Sequence, residues 1–168
     1  VEQADVILFL VDGKSGGQPL DERLAEVLRK VSKPVLLVVN KMDNLPRDQG
    51  HIEFWSLGIG EPIPVSALSG KGSGDLLDLV LERLPDAADL DAEDDSIRVA
   101  VVGKPNVGKS SFVNRLIGED RTVVSEVAGT TRDPIDSEFR YHGRSIVFVD
   151  TAGLRRQARV KDSIEYYS

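Results

Sequence analysis

The sequence predicts an α/β fold in which helices cover both faces of a mostly parallel, six-stranded sheet. Continuous apolar runs at Val6–Val11 and Val35–Val39 are typical of parallel strands that are covered on both sides. Segments with helical apolar spacing alternate with such runs along the chain. Hydrophobic residues make up 40% and charged residues 29% of the 168 residues, a balance that excludes a wholly disordered chain.

The first half of the chain is predicted to hold three strands and three helices in alternation. In chain order, their apolar positions span Val6–Val11, Leu20–Val31, Val35–Val39, Gln49–Leu57, Ile63–Val65 and Leu76–Leu84. The first helix ends before Pro34 and the third at Pro85, because proline cannot continue a helix. The adjacent aromatic residues Phe54 and Trp55 are both expected in the core.

The second half begins after an acidic linker at residues 86–96. Most of the net charge of −7 lies in that linker, so the rest of the chain is nearly neutral and lacks a dominant basic surface for nucleic acid. A strand at Ile97–Val102 and a helix at Lys109–Ile117 follow. Alternating residues predict an antiparallel strand with one wet face at Ile135–Tyr141, paired with Ser145–Val149 in a hairpin.

The composition narrows the classes of protein further. The chain has no cysteine, which excludes disulfides, thiolate metal sites and cysteine nucleophiles. Its apolar runs are too short to span a membrane and no signal peptide is visible, so we expect a cytoplasmic protein with no membrane partner. The sequence starts without methionine and stops within an incipient helix, so we expect a piece of a longer chain.

A phosphate-binding loop is predicted between the strand Ile97–Val102 and the following helix. The segment from Gly103 to Ser110 matches the pattern G-x-x-x-x-G-K-[ST] without deviation. Its glycines let backbone amides turn toward a phosphate at the helix N-terminus. Lys109 is expected to contact the β- and γ-phosphates, and the Ser110 hydroxyl to bind Mg²⁺. The nucleotide-contacting residues of this loop are predicted to be Asn106, Val107, Gly108, Lys109, Ser110 and Ser111.

A second phosphate-side motif follows the strand Ser145–Val149. Asp150 and Gly153 form a D-x-x-G pattern at the carboxyl end of that strand, where ligands of open α/β sheets bind. The Asp150 carboxylate can hold a magnesium-bound water, and the Gly153 amide can meet a γ-phosphate. The pattern alone is weak, but it becomes strong about 40 residues after a phosphate loop.

A base pocket is predicted at two other strand ends. The Asp43 carboxylate can accept hydrogen bonds from N1–H and the exocyclic amine of guanine, a donor pair that adenine lacks, so GTP is favoured over ATP. Asn40 can serve the N7 edge of the base or tie loops together, and the Lys41 stem can lie across the base. The loop Ser66, Ala67 and Leu68 offers a backbone amide for guanine O6.

Together these motifs resemble the five boxes of a Ras-like GTPase. The segments GKPNVGKSS, AGTTRDPID, DTAGLRR, VVNKMD and SLGIGEPIPVSALSGKG resemble most specifically the bacterial EngA (Der) family of ribosome-assembly GTPases. The likeness covers nearly every residue outside the acidic linker. It implies GTP hydrolysis, two consecutive G domains with a KH-like domain, and a role in assembling the 50S ribosomal subunit on its RNA.

The order of the boxes is circularly permuted relative to one complete G domain. The guanine-reading boxes precede the phosphate boxes, so residues 1–85 would be the back half of one G domain and 97–168 the front half of the next. Extended, the linker could reach about 40 Å, enough to close both halves into one domain. Pairing between two copies as a domain-swapped oligomer is the alternative. Naturally permuted ribosome-assembly GTPases share this order and are the second family considered.

The predicted catalytic residues are Lys109, Thr131 and Gly153. A threonine of the loop Gly129–Asp133 can bind Mg²⁺ and the γ-phosphate, and the resemblance favours Thr131 over Thr130. The resemblance also implies that K⁺ replaces an arginine finger, with Asn106 as a ligand. The metal-binding residues are thus Ser110, Thr131, Asp150 and Asn106.

Two functional alternatives remain at the level of sequence. Leu154 stands where a Ras-like enzyme has a water-orienting glutamine, so we expect slow hydrolysis without an evident general base. A non-catalytic fragment that binds GDP weakly is the alternative, because its halves come from different domains. The basic cluster Arg155, Arg156, Arg159 and Lys161 is a solvated face or a contact to ribosomal RNA.

Overall fold

The computed structural model describes residues 3–43, 50–84, 96–118 and 137–149. Within these ranges it contains six strands, three α-helices and one 3₁₀ helix. The strands are β1 (Val6–Asp12), β2 (Val35–Asn40), β3 (Ile63–Pro64), β4 (Ser96–Val102), β5 (Ser137–Tyr141) and β6 (Arg144–Val149). The helices are α1 (Pro19–Leu28), the 3₁₀ helix Ile52–Leu57, α2 (Ser73–Glu82) and α3 (Lys109–Gly118).

All six strands form one sheet in the order β3-β2-β1-β4-β6-β5. Strand β1 is parallel to β2 on one side, with Asp12 opposite Asn40, and parallel to β4 on the other. Only β5, paired with β6 in a hairpin, is antiparallel. The predicted α/β fold, with boxes in permuted order on a mostly parallel sheet, is confirmed. The two halves of the sequence meet at the β1–β4 pair, in the middle of that sheet.

Helices cover both faces of the central strands, which explains why β1 is buried at every position. Alternate β1 residues Leu8 and Leu10 belong to the core on one face, together with α2 and α3. Their neighbours Phe9 and Val11 belong to the core on the other face, with α1 and the 3₁₀ helix. A strand with period-2 side chains reads as a continuous apolar run only when both faces are packed in this way.

The second predicted helix differs from expectation in type and in burial. It is a 3₁₀ helix over Ile52–Leu57, in which residues three apart share a face. Phe54 and Leu57 therefore point together into the core, at 1% and 3% exposure. Trp55 shares the outer face with Ile52 and is 53% exposed, so the prediction that Trp55 is a core residue was wrong.

The remaining elements agree with their predicted bounds to within two residues where the structure describes them, with two exceptions: α1 ends at Leu28, three residues before Val31, and α2 begins at Ser73, three residues before Leu76. The antiparallel strand β5 begins at Ser137, and the earlier part of its predicted range lies outside the described residues. Phe139 of β5 is buried against Phe148 of β6, with ring centroids 5.6 Å apart. The acidic linker through residue 95 also lies outside the described ranges. No helix in the described part of the chain is long and apolar enough to cross a bilayer.

Candidate nucleotide site

The predicted site residues that the structure describes come from both halves of the sequence and meet at the carboxyl ends of β1, β2 and β4. From β1 the chain moves toward one edge of the sheet through β2 and β3, and it then returns to β4 on the other side of β1. Such a switch point leaves a crevice outside the carboxyl ends of the strands, where open α/β sheets bind ligands. The loop Gly103–Gly108 follows β4 at this crevice, beside the residues that follow β2.

Close packing at two positions of this loop requires glycine. Gly108 has φ +94°, and a Cβ there would lie 2.6 Å from the Nδ2 atom of Asn40. Gly103 has φ +154°, and a Cβ there would overlap the carbonyl oxygen of Leu10 on β1. Because L side chains rarely adopt these conformations, the loop can lie this close to the first half of the chain only with glycine at both positions.

Lys109 is the first residue of α3, and its ammonium points back into the loop. Its Nζ donates hydrogen bonds to the carbonyl oxygens of Gly103 at 2.8 Å and Lys104 at 2.7 Å. Burial lowers the pKa of Lys109 below its usual 10.5, because desolvation disfavours the charged form. The ammonium is thus held within the loop, at a helix N-terminus that favours anions.

Asn40 at the end of β2 connects the phosphate loop to the base-reading loop. Its Nδ2 donates to the Val107 carbonyl at 2.8 Å, and its Oδ1 accepts from the Ala67 amide at 2.9 Å. The side chain is 1% exposed. Of the two roles predicted for Asn40, the structure has the one in which it ties loops together.

Asp43 lies beside Ser66, which belongs to the loop after β3. Its Oδ1 accepts a hydrogen bond from the Ser66 hydroxyl, and its Oδ2 lies 3.2 Å from the Nζ of Lys14. The Ser66 hydrogen bond is the main cause of a pKa for Asp43 below its usual 3.8, and Lys14 acts in the same direction. The carboxylate therefore remains an ionised acceptor at neutral pH.

Lys41 crosses from the base side of the crevice to the phosphate side. Its Nζ lies 2.6 Å from Oδ2 of Asp12 and donates to the Asn106 carbonyl at 3.0 Å. Burial acts to raise the pKa of Asp12, but hydrogen bonds from Lys41 and from the Lys14 backbone outweigh it, so the pKa is lowered. Both Lys41 and Asn106 have positive φ, at 69° and 65°. Sequence analysis did not identify Asp12 or Lys14, which belong to no recognised pattern.

The lowered pKa of Asp43 predicts how stability depends on pH. A carboxyl whose folded-state pKa lies below its unfolded value stabilises the fold above that unfolded value, near 3.8, and this contribution is lost as the pH falls through the folded-state pKa. We expect Asp43→Asn to lower the free energy of unfolding by up to about 1 kcal/mol at neutral pH, since Lys14 is exposed. Urea denaturation of both proteins should give a constant difference from about pH 7 to about pH 5, shrinking below about pH 4. If the difference in the free energy of unfolding changed between about pH 7 and about pH 5, it would contradict a lowered pKa for Asp43.

The structure brings the described site residues together, and several predicted ones lie outside it. Ser110 and Ser111 follow Lys109 in the first turn of α3, and Leu68 is 82% exposed in the loop predicted to read the base. Thr130, Thr131, Asp150 and Gly153 lie outside the described residues, as does the basic cluster after Leu154. Among the residues that the structure describes, Ser110 is therefore the one predicted magnesium ligand, and no group of three acidic, histidine or cysteine side chains could hold a metal alone.

Comparison with known proteins identifies relatives of the whole chain. Residues 98–167 match the model of the 50S ribosome-binding GTPase family. The chain is 55% identical over 168 residues to the GTPase Der of Gemmatimonas aurantiaca and 51% identical to that of Heliobacterium modesticaldum. The GTPase Der of Clostridium perfringens is 52% identical. Each match covers all of this chain but 38% of the relative, so the chain corresponds to a little over one third of those proteins.

A solved structure supports the fold independently. The crystal structure of YjeQ from Thermotoga maritima superposes with a TM-score of 0.52 at 18% identity. The match covers 90% of this chain and 50% of that one. At this identity the likeness concerns the arrangement of strands and helices alone.

Proposed function

Since this chain is homologous along its whole length to a stretch of the Der (EngA) GTPases, we propose that it binds GTP and GDP at the β1–β4 crevice and hydrolyses GTP slowly. One observation carries the proposal. Asn40 joins the loop that would hold the phosphates to the loop that would read the base, at 2.8 Å and 2.9 Å. A single nucleotide can therefore contact both halves of the sequence at once.

Guanine recognition rests on Asp43. Its two carboxylate oxygens can accept from N1–H and the exocyclic amine of guanine, with Lys14 moving off Oδ2 as the base enters. The Ser66 hydroxyl holds the carboxylate in place. The Ala67 amide is bonded to Asn40, so the neighbouring amide of Leu68 is the proposed donor to guanine O6. The stem of Lys41, which spans the crevice, would lie along the base.

Phosphate binding rests on the loop and on Lys109. The Lys109 ammonium contacts two carbonyl oxygens of the loop. A phosphate placed in the loop would offer this ammonium charged oxygens instead, which form stronger hydrogen bonds. The amides of the loop from Asn106 to Ser111 and the N-terminus of α3 would complete the cradle. Glycine at 108 keeps the loop free of a side chain where it packs on Asn40.

The metal ions and the hydrolytic step are proposed to involve residues of the phosphate loop together with Thr131, Asp150 and Gly153. Ser110 follows Lys109 in the first turn of α3, and its hydroxyl is the proposed magnesium ligand from this loop. Thr131 and Asp150 are the other proposed ligands. Magnesium, when bound, neutralises charge on the phosphates. The likeness to the Der GTPases supports K⁺ as a second ion with Asn106 as its proposed ligand, and the Gly153 amide is the proposed contact to the γ-phosphate. Lys109 stabilises negative charge on the phosphates during hydrolysis.

The biological setting is proposed from the relatives. The family description that matches residues 98–167, a 50S ribosome-binding GTPase, supports the 50S subunit and its RNA as partners, and we propose that the parent protein acts in the cytoplasm in assembly of that subunit. We propose that residues 1–85 and 97–168 correspond to halves of two consecutive G domains joined by the linker 86–96. A chain that binds GDP without hydrolysing GTP, and a domain-swapped oligomer, are the alternatives.

Replacing Asp43 tests the guanine assignment directly. We expect Asp43→Ala to lower the preference for GDP over ADP by about 30-fold, since charge-assisted hydrogen bonds to the base are lost at a partly exposed carboxylate. Titration of the purified chain with fluorescent GDP and ADP in Mg²⁺ and KCl measures it, with one nucleotide per chain as the expected stoichiometry.

Asp43→Asn is the matched variant for that titration. Its amide can donate to the 2-oxo group of xanthine, so binding should move from guanosine toward xanthosine diphosphate. Wild-type protein that binds GDP and ADP equally would contradict the proposed function. A wild-type preference that survives both substitutions would contradict the role of Asp43.

A further inference from the structure

We infer that a buried ion pair between Asp21 and Lys104 positions the phosphate loop, so that helix α1 of the first half sets the place of Lys109 in the second. The inference rests on the proposed nucleotide site. It concerns two residues that neither the base boxes nor the phosphate pattern explains. Lys104 occupies a variable position of that pattern, and Asp21 lies on the helix between β1 and β2.

Asp21 is a carboxylate in an unusual environment. It is the third residue of α1 and 0% exposed. Its Oδ2 accepts a hydrogen bond from the backbone N–H of Gln18 at 3.1 Å and lies 3.2 Å from the Nζ of Lys104. Its Oδ1 is buried with no hydrogen-bond partner in the described part of the chain. A helix-capping carboxylate is normally solvated, so complete burial of this one makes it depend on Lys104 for charge compensation.

Lys104 links this carboxylate to the phosphate-binding lysine. Its side chain is 15% exposed and directed at Asp21, so its charge is already neutralised within the protein. Its backbone carbonyl accepts the 2.7 Å hydrogen bond from Lys109. The same residue is thus anchored through its side chain to α1 and holds Lys109 through its main chain. Lys104 and Asp21 act as positioning residues, since their mutual contact keeps Lys104 from serving as a phosphate ligand.

The orphaned Oδ1 predicts which substitution the site accepts. Lysine presents a single ammonium to the carboxylate and satisfies one oxygen. An arginine presents a planar fork that can donate to both oxygens of a carboxylate. Lys104→Arg should therefore preserve the position of the loop or improve it, whereas Lys104→Met leaves Asp21 buried without a counter-charge.

Two readouts on four variants test the inference. The variants are Lys104→Met, Lys104→Arg, Asp21→Asn and the double variant Asp21→Asn/Lys104→Met. Hydrogen exchange in the absence of nucleotide measures how strongly the loop amides are protected. Titrations with GDP and ADP measure how the position of the loop affects nucleotide binding. In Lys104→Met we expect at least about tenfold faster exchange of the amides from Lys104 to Lys109, with core amides of β2 unchanged. We also expect about tenfold weaker GDP binding with the GDP:ADP ratio preserved.

The rescue variants separate positioning from general destabilisation. Lys104→Arg should match wild type or exceed it in both readouts, and the double variant should bind GDP more tightly than Lys104→Met because the buried charge is gone. Unchanged loop exchange in Lys104→Met, or equal losses in Lys104→Arg and Lys104→Met, would overturn the inference. If Lys104→Met does not fold, Asp21→Asn decides the inference, because it removes the same ion pair from the other side. Faster exchange of the loop amides and weaker GDP binding in Asp21→Asn than in Lys104→Arg would support the inference, and wild-type loop exchange and GDP binding in Asp21→Asn would overturn it. Wild-type protein that binds no GDP, with loop exchange that still depends on Lys104, would refute the proposed function and leave the positioning role standing.

Discussion

Lys109→Ala is expected to weaken GDP binding by about 1,000-fold, because two charge-assisted hydrogen bonds of about 2 kcal/mol each are lost from phosphate oxygens. The fold should persist. Among the described residues, Lys109 donates to two carbonyls of its own loop, and the buried core residues of α3 lie further along the helix, at Phe112, Val113 and Leu116. Calorimetric titration with GDP measures the effect, and circular dichroism checks the fold.

The control for Lys109 is a lysine of equal charge away from the crevice. Lys30 follows α1 at an exposed position, so Lys30→Ala removes the same charge without touching the loop. Its GDP affinity should match that of wild type. An affinity that falls equally in both variants would mean that net charge, and not the contact made by Lys109, governs binding.

Asn40→Ala is expected to reduce both the stability of the chain and its binding of nucleotide. The substitution leaves the Val107 carbonyl and the Ala67 amide without the partners they have at 2.8 Å and 2.9 Å. The loss is about 1–3 kcal/mol for the buried Val107 carbonyl and less for the part-buried Ala67 amide, so the free energy of unfolding should fall by roughly 2–4 kcal/mol, a large part of the usual stability of a domain. Equilibrium denaturation in urea measures this loss.

An exposed asparagine supplies the comparison for Asn40. Asn114 lies on the outer surface of α3, and Asn114→Ala should change the free energy of unfolding by less than about 0.5 kcal/mol. Saturating GDP should raise the free energy of unfolding of wild type and of Asn114→Ala, but it should raise that of Asn40→Ala only a little. Equal stability of the two variants would show that the two loops do not depend on Asn40.

The local sequence was sufficient to predict elements and site residues whose signals lie within a few positions of one another. Apolar runs located β1 and β2 because both of their faces are packed. The phosphate loop and the guanine-binding role of Asp43 were predicted because phosphate and guanine each demand particular groups at fixed spacing, and both stay predictions. The permuted order of the boxes does not distinguish closure from swapping, because that depends on whether β1 pairs with β4 of its own chain, as it does in this structure.

Interactions between distant residues were beyond sequence analysis. Asp21 looks like an ordinary polar position of an amphipathic helix, and only its burial against Lys104, 83 positions away, reveals a specific partner. The exposure of Trp55 was missed because a short 3₁₀ helix repeats every three residues, and the pattern of six residues is too short to distinguish it from an α-helix. In both cases the tertiary environment, and not local preference, decides the outcome.

The β1–β4 pair also bears on how such a chain could evolve. Backbone hydrogen bonds join these two strands, and a ladder of this kind forms between any two compatible strands whatever genes encode them. Few side chains are then needed to make the junction selective, Asn40 and Asp21 among them. A recombination event that brings together half-domains of different ancestry would retain a working crevice if those few contacts were kept. The middle of the sheet is thus a natural boundary for exchange between genes.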